Sequence, residues 1–264
     1  MFNGFGVCTS VIGHRNILTP EKLTGLKKSG IEYIEISALQ TLHFDIHNKR
    51  HLESVSKSVK KLGLKIWSVH APFTPIAMPD RATREEGIEL MVETCALRKY
   101  FDFDKVVLHP GSDDNNGDRK QELRNLEKSL KVIAKRTGKI KLAVETTSHY
   151  APKSTERLLR VINEFAPEKV GMCIDTGHAN LSEDVPEIIR KAGKRIFTVH
   201  MQDNDGKTDL HLLPMSGIIK WKEVCKAFND AGYNGVFMFE AADEKLSLKG
   251  NVNKMRSIYN CLNK

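Results

Sequence analysis

"GMCIDTGHANL", Gly171 to Leu181, passes from an apolar run into an acid, a glycine and a histidine. Met172, Cys173 and Ile174 read as a buried strand, which Asp175 closes. Gly177 breaks the pattern, and His178 lies three residues past the acid. A strand that ends in two groups able to bind a metal says little alone. Its meaning depends on whether other strands of the chain end the same way.

Apolar, β-rich runs recur along the sequence: GFGVC (Gly4–Cys8), IEYIEIS (Ile31–Ser37), LKIWSVH (Leu64–His70), KVVLH (Lys105–His109), IKLAVE (Ile140–Glu145), VGMCID (Val170–Asp175), RIFTVH (Arg195–His200) and GVFMFE (Gly235–Glu240). Near-continuous apolar strands suit a parallel sheet buried on both faces. The segments between them carry helical periodicity. Thr19 is an N-cap ahead of Pro20, and that helix stops at Gly30. Leu52, Val55, Val59 and Leu62 share one face ahead of Gly63; Leu123, Leu126, Leu130 and Ile133 do so ahead of Gly138. WKEVCKAFNDAGYNG repeats the pattern before the eighth strand. Eight strand–helix units without a composition break predict an α/β fold, a single (β/α)8 TIM barrel over residues 1–264. The alternative, a doubly wound open sheet, lacks a G-x-G-x-x-G after its first strand.

A chain of 264 residues can bury a substantial core, and 40% apolar with 28% charged residues is ordinary for a globular protein. No apolar run reaches membrane-spanning length, and the N-terminus lacks the basic start of a signal peptide. Five widely spaced cysteines without a C-x-x-C suggest reduced thiols, hence a cytoplasmic setting.

In such a barrel the active site lies at the C-terminal ends of the strands. Here those ends read Glu35, His70, His109, Glu145, Asp175, His200 and Glu240, with the first strand alone contributing no acid or imidazole. His178 lies just past one end, and Asp209 and His211 lie in the seventh loop. Any one of these residues has a plain structural explanation, and Glu35 reads as a cap or ion-pair partner. Buried charge is costly unless paired or metal-bound, so a whole ring of acids and imidazoles predicts a divalent metal. Mixed ligation of this kind suits Zn2+, Mn2+, Fe2+ or Co2+. No cysteine is expected at the rim end of a strand, so a structural thiolate zinc site is not expected. His14, His43, His47, His51 and His149 read as solvated, Trp67 as packing, and Trp221 as a helix start.

SVHAPF, VVLHPGS, LAVETT, GMCIDTGHA, VHMQDNDGKTDLHLLPMSGIIKW and GVFMFEAA, spread from Ser68 to Ala242, together resemble the xylose isomerase-like barrel superfamily, in particular its sugar (phosphate) isomerase/epimerase branch. The resemblance implies one divalent metal held by Glu145, Asp175, His200 and Glu240. It also implies that Glu145 and Glu240 act as the acid/base pair on opposite sides of a substrate carbon. The branch places an arginine shortly after the seventh-strand histidine; here the nearest cation is Lys207. His70, His109, His178, Asp209, His211 and Lys207 are then candidates for substrate or further metal. The same barrel serves endonuclease IV, whose three-zinc set has counterparts here at His70, His109, Glu145, Asp175, His178, His200, Asp209, His211 and Glu240. A metal-dependent lyase or dehydratase is a third reading, because fold alone does not fix function.

Charge location separates the first two. The net charge is +8, yet the lysines gather on presumed outer helices: Lys57, Lys60 and Lys61, then Lys128, Lys131 and Lys135. A DNA enzyme needs cations on its binding face. The presumed upper loops carry Asp113, Asp114, Asp118, Asp203, Asp205 and Asp209 instead. The expected partner is therefore a small carbohydrate, with no nucleic acid and no membrane, and with a homo-oligomer left open.

Overall fold

The apolar runs become eight parallel strands: β1 (Phe5–Cys8), β2 (Tyr33–Ser37), β3 (Lys65–His70), β4 (Lys105–Leu108), β5 (Lys141–Glu145), β6 (Val170–Asp175), β7 (Ile196–His200) and β8 (Phe237–Phe239). The structure is a computed structural model and describes residues 2–13, 16–39, 41–111, 118–147 and 154–263. His14, His149, Asp113 and Asp114 lie outside those residues. The strands pair in the order β7-β6-β5-β4-β3-β2-β1-β8. A single parallel bridge between Met201 and Phe239 brings the two ends together. The expected (β/α)8 TIM barrel is the observed fold.

Each strand is followed by helix: α1 (Pro20–Lys28), α2 (Lys49–Leu62), α3 (Arg81–Cys95), α4 (Arg119–Arg136), α5 (Ser154–Ile162), the short α6 (Thr176–Asn180) with α7 (Val185–Ala192), α8 (Trp221–Asp230) and α9 (Leu248–Leu262). The starts are chemically specified. The side chains of Thr19, Asn48, Asp80, Asp118, Asp184 and Ser247 each accept from a backbone N–H of the first turn. α2 ends at Gly63 in the left-handed conformation, φ 62°, which costs glycine nothing.

Side chains alternate along a strand, so each strand serves two cores. Val106, Leu108, Leu142, Val144, Met172 and Ile174 belong to the core shared with the helices, among them Leu126, Leu130 and Ile133 of α4. Val107, Ala143 and Cys173 form a separate cluster with Phe197 inside the barrel. Two residues before them, Lys105 lies over the Trp67 ring, 3.8 Å from its centroid, and pairs with Asp104. Trp67 packs as expected, and its indole N–H donates to Thr198. Gly171 belongs to this inner set, and a Cβ there would come within 2.8 Å of the Phe197 ring. Two residues after the apolar cluster, by the same alternation, come His109, Glu145 and Asp175. The inward period of two thus lifts the polar groups to the C-terminal rim.

The lysines named above lie on α2 and α4, exposed on the outside of the barrel. Among the described residues no helix is long and apolar enough to cross a membrane.

Candidate active site

Four donor groups meet at the rim. One ligand-type atom from each of Glu145, Asp175, His200 and Glu240 lies within 4.8 Å of all the others, and all four residues are buried. Asp175 and His200 are register partners on β6 and β7. Glu145 ends β5 and Glu240 directly follows β8. Nδ1 of His200 faces Glu240 Oε2 at 2.9 Å, Glu145 Oε1 at 3.5 Å and Asp175 Oδ2 at 3.8 Å. Yet His200 Nδ1 and Glu145 Oε1 are buried without a hydrogen-bond partner. Ligand-type atoms that converge this closely in a buried setting could serve a shared cation.

Two further groups adjoin this one. His70 and His109 each direct Nε2 at Glu145 Oε2, at 3.0 and 3.3 Å. His178 and His211 each direct Nε2 at Asp209 Oδ2, at 3.2 and 3.1 Å. In three of these imidazoles Nδ1 lies against a backbone carbonyl: His70 to Ala71, His211 to Glu240, and His178 to Thr146, the last also 3.1 Å from Glu145 Oε1. A carbonyl only accepts, so the proton sits on Nδ1 and the Nε2 lone pair faces a carboxylate oxygen. A second proton or a cation must relieve that opposition. The donor set therefore fits divalent metal, with imidazole nitrogen and carboxylate oxygen as its ligands.

The electrostatics follow from this crowding. Burial alone would lower the His178 and His200 imidazoles, but their acidic surroundings hold both well above the usual range. For His178 the largest opposing influence is Asp175; for His200 it is Cys173, then Glu240. Burial raises the Glu145 carboxyl, and His109 with His200 outweigh it, so it is held well below the ordinary value. Glu240 is likewise raised by burial and lowered more by His200, to about 2. Asp175 goes the other way, pushed up to about 6 by burial, with Glu145 and Glu240 reinforcing the shift. His211, lowered by burial but raised more by Asp209, reaches about 9.

The sign of these shifts gives a pH prediction. A histidine raised in the folded state stabilises the fold below about pH 6.5, and that contribution is lost as pH rises through the folded value. Chelator-treated protein should therefore lose thermal stability between pH 6.5 and about 9 as His211 loses its proton. Metal affinity should rise over the same window, because ligands must shed protons to bind. Calorimetric melting with and without Zn2+ checks both; a flat profile in chelator contradicts the arrangement.

The seventh loop is held from beneath. Asp203 is fully buried. Its Oδ1 accepts from the N–H groups of Asn204 and Ile219, and its Oδ2 from the N–H of Gly217 and the Trp221 indole. Trp221 is the first residue of α8, as expected, and its indole serves this anchor. Asp203 is thus not part of a solvated acidic surface. Above it, His211 and Met215 adopt positive φ, 45° and 72°. Such conformations cost non-glycine residues about 1–3 kcal/mol and concentrate at functional sites. Gln202 donates to both oxygens of Asp175 and steadies that carboxylate.

Other expectations need correction. Glu35 is neither a strand end nor a cap but does pair: it is the third residue of β2, fully buried, and accepts from Ser68 and His200. The parity of a five-residue strand could have indicated its inward direction. Cys8 does end β1, within reach of Glu35 and Glu240. Burial, then Glu35 and Glu240, push its thiol well above the ordinary range, so it stays protonated. His43 is buried between the Asn16 carbonyl and the Thr9 hydroxyl rather than solvated. Lys207 is exposed, and its N–H donates to Asp205. Among the described residues no ion pair joins its side chain to the rim. A cavity of about 980 Å³ opens beside Glu240 and His211, bounded by Val11, Leu210, Leu213 and Ala242.

Barrel, inward rim and acid–imidazole cluster together define a (β/α)8 barrel with its polar centre at the C-terminal strand ends. Residues 23–260 match the xylose isomerase-like TIM barrel family, and the chain belongs to it. It is 29% identical over 195 residues to an uncharacterised protein of Methanocaldococcus jannaschii, covering 65% of this chain and 63% of that one. It is 27% identical over 148 residues to D-psicose 3-epimerase of Enterocloster bolteae (54% and 46%). Against a probable endonuclease 4 of Metamycoplasma arthritidis it is 29% identical over 135 residues (50% and 48%). The matches thus span from about half to just under two thirds of these relatives' lengths. Similar solved structures include a D-tagatose 3-epimerase-like protein (TM-score 0.82, 22% identity, 98% of this chain and 96% of that one). The IolI protein, crystallised with a zinc atom, has TM-score 0.82 at 18% identity and 98% coverage of both chains. At these identities the structures speak for the fold. The named relatives include enzymes.

Proposed function

We propose that this chain is a divalent-metal-dependent isomerase or epimerase of a small sugar or sugar phosphate, built as one domain. The observation that carries the reading is the convergence of Glu145, Asp175, His200 and Glu240, with buried Nδ1 and Oε1 atoms lacking partners. The epimerase relatives support the substrate class. Glu145, Asp175, His200 and Glu240 would hold the metal. When bound, the cation supplies Lewis acidity that stabilises negative charge developing on substrate oxygens. The substrate enters through the cavity beside Glu240 and His211. Glu145 and Glu240 come from different sides of the rim, and both are held toward the carboxylate form. One removes the proton from the carbon beside the carbonyl, giving an enediolate. The other returns a proton, to the opposite face in epimerisation or to the neighbouring carbon in isomerisation. His178 and His211, with Asp209 between them, bind and orient substrate hydroxyls, while His70 and His109 hold Glu145. Lys207, exposed on the seventh loop, is proposed as a further substrate contact.

A screen of ketoses, aldoses and hydroxypyruvate with Mn2+, Zn2+, Co2+ or Fe2+ tests the reading, run beside an abasic-site duplex. Turnover of a ketose or aldose is the expected result; turnover of the duplex alone defeats it. The second reading is a multi-zinc phosphodiesterase. It is favoured by the two adjoining groups, His70–His109–Glu145 and His178–Asp209–His211, each with donor atoms within 4.8 Å. The metal count separates the two. One tightly held metal per chain is expected in protein prepared without chelator. A count near three, reduced by His109→Ala or His211→Ala, transfers the assignment to the phosphodiesterase.

A further inference from the structure

We propose that Glu35 is a positioning residue that selects which nitrogen of His200 is offered to the metal, an assignment that rests on reading the rim as a metal site. The contrast with the other imidazoles carries the argument. His70 and His211 have Nδ1 tied to a main-chain carbonyl and turn Nε2 toward their carboxylates, and His178 does the same while its Nδ1 also lies 3.1 Å from Glu145 Oε1. His200 is reversed. Its Nε2 lies 2.9 Å from Glu35 Oε1, and its Nδ1 faces Glu240, Glu145 and Asp175. Among the described residues no backbone carbonyl is bonded to its ring; a side chain from β2 is. With Nε2 donating to Glu35, the lone pair is confined to Nδ1. The opposite tautomer would put an N–H into the ligand cluster and an acceptor against a carboxyl oxygen, opposing metal binding twice.

Glu35 is itself fixed. Its second oxygen accepts from Ser68 Oγ at 2.6 Å, so the carboxyl group cannot swing away from His200. The pairing depends on a register shift: Ile34 faces Ile66, but Glu35 faces Ser68, so β3 accommodates Trp67 as an extra residue. Bulges commonly re-aim side chains beside active sites. Here the bulge turns Ser68 toward the glutamate. All three residues are completely buried, so water does not compete for these bonds. A carboxylate behind a ligating imidazole fixes its tautomer and raises its basicity, and loss of such a partner typically lowers metal affinity about 10–100-fold.

The test is calorimetric titration of chelator-stripped protein with Mn2+ and with Zn2+, beside the visible spectrum of the Co2+-loaded protein. Glu35→Gln keeps the shape and removes the carboxylate; about 10–100-fold weaker binding is expected, with altered Co2+ bands at saturation. Ser68→Ala frees the second oxygen, and a smaller loss, about three- to tenfold, is expected from a supporting hydrogen bond. A purely structural role would change the melting temperature but leave the Co2+ spectrum of the folded protein untouched. Wild-type affinity and spectrum in folded Glu35→Gln overturn the proposal. If that variant does not fold, unchanged affinity and spectrum in Ser68→Ala overturn it. Failure of the wild type to bind any of the three ions defeats the metal reading itself, and the proposal with it.

Discussion

Glu145→Gln and Glu240→Gln should each lower turnover by at least about 10²–10⁴-fold while the fold is retained, the usual contribution of a general acid–base group. Glutamine keeps one oxygen and the side-chain volume but cannot accept the proton. Glu145 should be the more sensitive. Its Oε2 faces His70 and His109, and its Oε1 faces His178 and His200. Whichever way an amide is turned, its NH2 meets imidazole nitrogens on that side. Glu240 meets fewer partners, with His200 Nδ1 at 2.9 Å as its principal contact. Metal content must be measured alongside the rates. Near-normal turnover in a metal-loaded variant removes that residue from the mechanism.

The largest effect on stability should come from Asp203→Ala. That change leaves the N–H groups of Asn204, Gly217 and Ile219 and the Trp221 indole without their common acceptor. A buried donor left unpaired costs about 1–3 kcal/mol, and water entering the gap recovers part of it. A net loss of roughly 3–5 kcal/mol is expected, equivalent to a fall on the order of 10 °C in melting temperature for a chain of this size. Asp203→Asn keeps one acceptor oxygen and should lose less. Because the same bonds hold the base of the seventh loop, contacts of His178 with Asp209 should loosen in either variant. Histidine chemical shifts would show this, and a melting temperature unchanged in Asp203→Ala would refute the anchoring role.

The barrel was legible because its signals repeat. Lys105, Val107 and His109, then Lys141, Ala143 and Glu145, alternate with the apolar residues that meet the helices, and the same period of two runs through Gly171, Cys173 and Asp175. Where a strand keeps that period to its last residue, the sequence locates the rim. Glu35 escaped because it lies in the middle of its strand and its partner Ser68 faces it only through a bulge. A bulge leaves no mark in a hydrophobic pattern. His43 and Asp203 escaped for a different reason. Both are polar residues in loops, where solvation is the ordinary expectation, and their burial depends on residues distant in sequence: Thr9 for one, Trp221 for the other. The positions of Asp209 and His211 on one carboxylate-centred cluster were foreseeable from their spacing; the positive φ that aims His211 was not.

The join between β7 and β8 has a thermodynamic consequence. Seven of the eight neighbouring strand pairs share two to five register positions, whereas this seam rests on the Met201–Phe239 bridge, with a short bond from Met201 N–H to the Met238 carbonyl and a long one from Glu240 N–H back to Met201. His200 and Glu240 stand on opposite sides of that seam. Any ligand gripping both residues works as a clasp across the least-laced part of the cylinder, and closing the cylinder in turn assembles the grip. Occupancy of the centre and integrity of the seam are then two faces of one equilibrium, each strengthening the other by the same free energy. Amide exchange at Met201 and Glu240 would register that equilibrium directly, slowing on cation binding while the amides of β5 and β6 stay as protected as before.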